Sequence, residues 1–297
     1  MRPPATTGLR EARLLGPADL PEALAVCAAD PVAAVLAANR LEIATRAGLG
    51  AAGGQVWGWP AGGPLRAVCW SGANLVPVVP DPADLPEAID AFARAARRQG
   101  RRSSSIVGSS GAALGLWHRL EAHWPPAREV RAHQPSLAID RDPDVEPDPR
   151  VRLSRPDELA LVLPACVAMF TEEVGYSPVA GGGTAYRERV RSLIEERRSY
   201  VRLERAGDGP DAETLVGFKA ELGAVALGVA QVQGVWVDPR YRGRGWSETG
   251  MAAVVADARA RVAPVVSLYV NGYNSRALRS YLRVGFEQVG TYATVLF

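Results

Sequence analysis

The chain has 297 residues, enough for about two domains, and its 47% hydrophobic to 22% charged balance is that of a globular protein with sizeable cores. A net charge of +2 argues against a large nucleic-acid footprint. No stretch of about 20 apolar residues and no apolar leader is present, so a cytoplasmic protein that does not engage a membrane is expected. Cys27, Cys69 and Cys166 are odd in number and far apart, which fits neither a disulfide framework nor a metal knuckle. His118, His123 and His133 lack metal-ligand spacing, so no metal is expected.

The first half, residues 1–140, reads as its own domain. Ala12–Leu15 is a short predicted strand, followed by predicted helices over Pro17–Ala29 and Pro31–Ala47. Gln55–Trp59 and Leu65–Ser71 form a hairpin around Pro60–Pro64, and Asn74–Val79 adds a strand. A helix over Asp84–Arg98, a strand at Ser104–Val107, a helix over Gly111–Trp124 and a strand at Gln134–Ile139 complete the set. Residues 141–149 alternate acids with prolines, which can neither build a core nor continue a helix, so a solvated linker is expected.

In residues 150–297 the same order repeats. Val151–Ser154 is a strand, and Pro156–Glu173 a helix opened by Ser154, Asp157 and Glu158 in the manner of an N-cap with an acidic first turn. Gly183–Arg198 is a second helix, and Tyr200–Arg205, Leu215–Val225 and Val229–Val237 are strands. The third of these stops at Asp238-Pro239 before a basic, glycine-spaced loop. Met251, Val254, Val255, Ala258 and Val262 then mark one helix face, and Pro264 ends that helix. A strand at Val265–Val270, a helix capped by Asn274 and stopped at Gly285, and a strand over Phe286–Phe297 close the chain.

Strand, glycine loop and helix together can hold a phosphate. The first amides of a helix have no internal partner and lie at the positive end of its dipole. Gly243 and Gly245 let the backbone approach an anion, and Arg240, Arg242 and Arg244 add charged donors around it.

Arg240-x-x-Gly243-x-Gly245 resembles the pyrophosphate loop of the GNAT acyltransferase superfamily. Asn274-x-x-Ala277, Tyr281 and Gly285-Phe286 resemble that family's second signature, at the right distance from the first. The resemblance implies an α/β fold of tandem GNAT-like domains, each a mixed central sheet flanked by helices, in a two-domain plan similar to that of actinobacterial, hence bacterial, members. It implies an acyltransferase that moves an acetyl group from acetyl-coenzyme A to an amine: a protein N-terminus, a lysine or a small molecule. The alternative is a non-catalytic acyl-coenzyme A sensor. The first half's counterpart of the loop, Val79–Pro86, is acidic and glycine-free, so a degenerate domain without a coenzyme site is expected there. Oligomeric state is left open.

Carried over by position, backbone groups of Val235, Trp236 and Val237 would bind the pantetheine arm. Arg240, Arg242, Gly243, Arg244, Gly245, Trp246 and Ser247 would hold the pyrophosphate, Asn274 would bond the pantetheine, and Tyr281 would lie against the coenzyme near its sulfur. Tyr281 would be the general acid: a phenol of pKa about 10 can protonate a departing thiolate of about 8.5 at modest cost. Glu221, in an otherwise apolar strand, is a candidate base if burial raises its pKa. Glu172 and Glu173 precede the expected acceptor-side loop, where Glu173 is a candidate acceptor contact or proton relay, and Gly181–Gly183 would give that loop hinge freedom.

Overall fold

The structure, a computed structural model, describes residues 10–207 and 213–297. The extreme N-terminus, scanned above for a leader, lies outside them. The described residues form two compact units. One comprises the chain up to Leu137 together with Tyr269–Tyr273 and Gln288–Phe297; the other comprises Ala138–Leu268 and Asn274–Glu287.

In the first unit the elements are β1 (Arg13–Leu14), α1 (Leu20–Ala28), α2 (Pro31–Ala47), α3 (Leu49–Ala52), β2 (Gln55–Trp59), β3 (Ala67–Ser71) and β4 (Asn74–Val78). They continue with α4 (Leu85–Gln99), β5 (Ser105–Ser109), α5 (Ser110–Leu120) and β6 (Glu129–Ile139). The expected hairpin is present, with Trp59 opposite Ala67. The second unit contains β7 (Arg152–Leu153), α6 (Leu159–Val174), α7 (Thr184–Glu195), β8 (Ser199–Ala206), β9 (Glu213–Ala226) and β10 (Val229–Val237). After it come α8 (Trp246–Arg261), β11 (Val265–Tyr269), α9 (Ser275–Val284) and β12 (Glu287–Leu296). Strand order in the second unit is β11-β10-β9-β8-β7. Each unit is a mixed sheet with helices against it, as the element order implies.

Two segments differ from the sequence reading. Chain order groups β12 with the second half, yet it pairs antiparallel with β5, Ala293 opposite Gly108 and Val295 opposite Ile106. Its side chains explain the choice. Ala293 and Val295 are fully buried with Leu75, Ile106 and Leu116, and Phe297 stands edge-on to Trp117 and Trp124. The acidic segment 141–149 is not wholly solvated. The Asp144 and Asp148 amides donate to the carbonyls of Val284 and Thr249, and Asp148 accepts from the buried Arg202 at 2.5 Å. Its acids find arginines, which the composition does not reveal.

Helix α8 lies close against β9, which fixes where its N-terminus points. A Cβ added at Gly250 would meet three ring atoms of Phe218 at 2.8–2.9 Å, and that ring is fully buried. Replacing a helical glycine by alanine ordinarily stabilises by about 1 kcal/mol. Overpacking a rigid ring costs about 1–3 kcal/mol. The second effect wins here: Gly250→Ala is expected to lower the stability of the protein in chemical denaturation by about 1 kcal/mol.

Candidate active site

The site begins where two parallel strands part. β10 pairs with β11 through Val229, Ala230 and Gln231, opposite Val265, Val266 and Ser267, and no further. β10 itself runs on to Val237 against β9, with register shifts between Gln231 and Val232 and between Gln233 and Trp236. Gly234, at φ 57°, makes the second irregularity possible. A Cβ there would lie 2.9 Å from Lys219 Nζ and 3.1 Å from Glu221 Cδ. Val235, Trp236 and Val237 therefore have no ladder partner on the β11 side. The three residues expected to face a pantetheine arm are those that the β11 ladder leaves unpaired, while Trp236 and Val237 stay in register with Lys219 and Phe218 of β9.

Beyond Val237 the chain makes a single 3-10 turn, Pro239–Tyr241. Asp238 organises it, accepting from the Arg240 amide at 2.9 Å and from its guanidinium at 2.9 and 2.8 Å. These bonds to Arg240 hold the Asp238 carboxyl below the usual carboxylate range. Gly243 and Gly245 take φ values of 80° and 76°, in the left-handed region, and α8 starts at Trp246 with no side-chain cap. Hydrogen bonds within the loop run from the amides of Tyr241, Arg242, Glu248 and Thr249; those of Arg244, Gly245, Trp246 and Ser247 take no part. Among the described residues these four donors at the helix N-terminus, and that of Gly243 before them, have no hydrogen-bond partner, and nothing lies within 4 Å of a Cβ built on Gly245.

The three loop arginines are not equivalent. Arg240 is committed to Asp238. Arg242 donates through Nε to the Val237 carbonyl at 2.9 Å and through Nη2 to Glu172 at 2.6 Å. Arg244 lies over the Tyr241 ring and, of the three, alone has no carboxylate partner among the described residues. Tyr241 in turn stacks on Trp246 at 4.4 Å, and the Arg202 guanidinium lies 3.2 Å from the Trp246 ring centre. This ladder of rings and guanidinium groups holds the loop to β8. The sequence reading did not find Arg202, because nothing in its local spacing marks it.

Asn274 caps α9, its side-chain oxygen accepting from the Ala277 amide at 3.1 Å. Its amide nitrogen is left as the group that can donate outward. Tyr281, seven residues on, is buried, its ring edge-on to Phe286. Burial first, and the nearby Glu173 carboxylate second, push the phenol well above its ordinary range, so its proton stays on at any physiological pH. Glu173, at the end of α6, is thus near enough for its charge to act on Tyr281 of α9. Glu172 ties α6 to β10 as well, accepting from the Trp236 indole at 3.1 Å.

Glu221 departs from its expectation. It is buried, but its pKa is not raised. Burial works against the charged form, and is outweighed by Lys219 Nζ at 3.0 Å and Arg189 Nη2 at 3.1 Å, which hold the carboxyl below the usual range. A carboxylate so held is a weak base. Lys219, fully buried on the same strand face two residues earlier, keeps its charge for the same reason. That i, i+2 spacing of opposite charges in an apolar strand was the available signal for the pair.

Among the described residues no cluster of His, Cys, Asp or Glu is arranged to hold a metal, and no helix is long and apolar enough to cross a membrane. The three cysteines are free and buried. A cavity of about 590 Å³ in the second unit, lined by Arg152, Arg197, Tyr200 and Asp257 among others, includes none of the residues above.

Residues 169–286 match the acetyltransferase (GNAT) family, and residues 54–162 match a domain of unknown function, DUF4081. Among solved structures the chain is similar to a Drosophila melanogaster protein, with a TM-score of 0.65 and 12% identity over 96% of this chain and 98% of that one. It is similar to a GCN5-related N-acetyltransferase from Sphaerobacter thermophilus, with a TM-score of 0.54 and 18% identity over 95% and 93% of the two chains. A tandem GNAT protein from the clavulanic acid biosynthesis pathway gives 0.50 and 13% over 96% and 98%. At these identities the likeness is one of fold. No curated protein matches in sequence.

The fold is therefore the tandem GNAT fold. Residues 169–286 thus carry a domain of the GNAT acetyltransferase family, and that domain makes the second unit an acyltransferase.

The buried charges give a first test of the site's support. Because the folded pKa of Glu221 is depressed, its stabilising contribution is present above the unfolded value and is lost as pH falls through the folded one. Removing one partner of a buried pair costs about 3–5 kcal/mol, whereas replacing both by apolar residues is often near neutral. Lys219→Met is expected to destabilise the protein at pH 7 by an amount at the low end of that range, since Arg189 remains, and Lys219→Met with Glu221→Leu is expected to recover most of it. Urea titration of the three proteins decides the matter.

Proposed function

We propose that the second unit transfers an acetyl group from acetyl-coenzyme A to a primary amine by direct attack of the amine on the thioester. One observation carries this reading: the β11-facing edge of Val235–Val237, beyond the end of its parallel ladder, and the partnerless amides of Arg244–Ser247 lie on either side of the turn that follows β10. A strand that leaves its ladder and a helix that starts without a cap both expose polar groups that need partners. An elongated acyl thioester ending in a pyrophosphate supplies partners for both.

In this reading the amides of Gly243 to Ser247 and the Arg244 guanidinium hold the pyrophosphate, and the Asn274 side-chain nitrogen donates to the pantetheine arm. Bound acetyl-coenzyme A supplies an activated acyl carbon and a thiolate leaving group. A backbone N–H of Val235–Val237 stabilises the oxyanion that forms when the amine nitrogen bonds to that carbon. Tyr281 gives its phenolic proton to the sulfur as the carbon–sulfur bond breaks. Its raised pKa guarantees that the proton is present, and makes the transfer more demanding than an ordinary phenol would. The amine's proton leaves toward Glu173, beside Tyr281, rather than toward Glu221, whose oxygens are engaged by two cations. The acceptor is an amine of a small molecule or of a protein, either a lysine or an N-terminus.

We assign the first unit no coenzyme site. Its corresponding turn, Pro82–Asp84, is opened by Asp81, which caps the Ala83 amide, and holds Asp84 buried against Arg66. Carboxylates occupy the place where the second unit leaves amides free.

Calorimetry with acetyl-coenzyme A tests the reading. The wild type binds, and Gly245→Glu, which puts an anion and a strained backbone into the cradle, binds at least roughly tenfold more weakly. Absence of binding to the wild type overturns the proposal. Tyr281→Phe is expected to leave coenzyme affinity unchanged and to lower kcat by roughly a hundredfold, measured as thiol release with an amine substrate.

A further inference from the structure

Arg242 and Glu172 form a pair whose position is unusual for a surface ion pair. Both are substantially exposed, at 39% and 46% of their side chains, so their attraction is screened and weak. Arg242 is nonetheless anchored, through Nε, to the carbonyl of the last β10 residue, directly before the anion-binding loop. Glu172 is anchored on its other oxygen by the Trp236 indole on β10. The one movable contact between these fixed points is Arg242 Nη2 to Glu172 Oε2.

We propose that this contact is exchanged when the coenzyme binds: Arg242 leaves Glu172 for the pyrophosphate, and the Glu172 carboxylate so released binds the ammonium group of the acceptor. The inference rests on the coenzyme reading above. Three observations make the exchange favourable in this direction. A pyrophosphate beside four free amides carries more charge than one carboxylate and accepts a guanidinium in fork geometry. Glu172 keeps its indole bond, so it stays in place after the exchange. It lies in the last turn of α6, which ends at Val174 with Gly175 at φ 85°, and the negative end of a helix dipole favours a cation there. Glu173 adds a second carboxylate beside it. The site for a cationic acceptor is therefore complete only after the coenzyme is in place, and binding is ordered. The acceptor class this selects is an amine that arrives protonated on an alkyl chain, such as a lysine side chain or a small diamine, rather than an aromatic amine.

The exchange makes a prediction opposite in sign to that of a structural brace. If Glu172 competes for Arg242, Glu172→Gln binds coenzyme A roughly two- to fivefold more tightly than the wild type, the size expected for release from one exposed pair. In the background of Arg242→Gln the same substitution has no effect, which a double-mutant cycle reads directly. If Glu172 merely braces the loop, Glu172→Gln binds coenzyme A as weakly as the wild type or more weakly, and the exchange is overturned while the coenzyme reading stands. If wild-type protein binds no coenzyme A, the coenzyme reading itself falls. For the second half of the proposal cadaverine is titrated into protein saturated with coenzyme A. Binding that requires the coenzyme and is lost in Glu172→Gln supports it. Binding that is equal without the coenzyme, untouched by the substitution, or absent altogether overturns it.

Discussion

Everything at the candidate site follows from the parting of β10 and β11 after Gln231. A parallel ladder inside a sheet normally satisfies every backbone group it buries, and ending one early leaves donors and acceptors that must find partners elsewhere. Here the ladder ends at Gln231 opposite Ser267, while β10 continues to Val237 on its other edge. The Gly234 irregularity helps to turn the strand, and it is tightly confined: Lys219, Glu221 and Met169 lie where a side chain would be. The divergence is thus built into the packing of β9 and α6. It delivers an open strand edge to the place where the capless α8 begins.

The charged groups beneath that edge serve support rather than chemistry. Lys219 is fully buried, and its charge is tolerable because Glu221 and, through Glu221, Arg189 complete a network. Such a network adds little net stability, but it makes the position of β9 relative to α7 specific. Arg202 works the same way on the next strand. It is pinned by Asp148 and Glu204 and holds the Trp246 ring, and through it Tyr241 and the loop. Both cations are buried. That burial separates groups that set geometry from groups left free to exchange partners, such as Arg242.

What the sequence made legible and what it did not divide along a physical line. Local signals held well: the β10 boundaries, the Asn274 cap, the glycines of the loop and the periodic face of α8 are all governed by residues within one turn of each other. Signals that depend on distant partners did not. Glu221 was recognisable as an odd charge in an apolar strand, but burial is outweighed there by Lys219 together with Arg189, and Arg189 is 32 positions away. Three arginines in the loop looked equivalent as donors, and only the placement of Asp238 and of Glu172, 70 positions away from Arg242, distinguishes them. The partner of β12 was equally hidden. Its alternating apolar residues fit any sheet edge, and Phe297, set between Trp117 and Trp124, decides which.

The contrast between the two units sharpens the functional reading. Each runs through strands and helices in the same order, and in each a parallel pair starts together, Asn74 with Ser105 in the first and Val229 with Val265 in the second. The first ladder is shorter still, two residue pairs, yet its strands stay close beyond it: a Cβ on Gly108 would lie 3.2 Å from the Pro77 carbonyl. Proline also removes the amide that β4 could have offered. In the second unit the same topological point is widened by a glycine irregularity and followed by glycines in place of acids. One architecture thus holds either a pair of strands that stays close past its ladder or, in our reading, a pair that parts for a ligand. The difference lies in a handful of residues whose backbone freedom and charge decide whether polar groups are satisfied within the protein or left for a substrate.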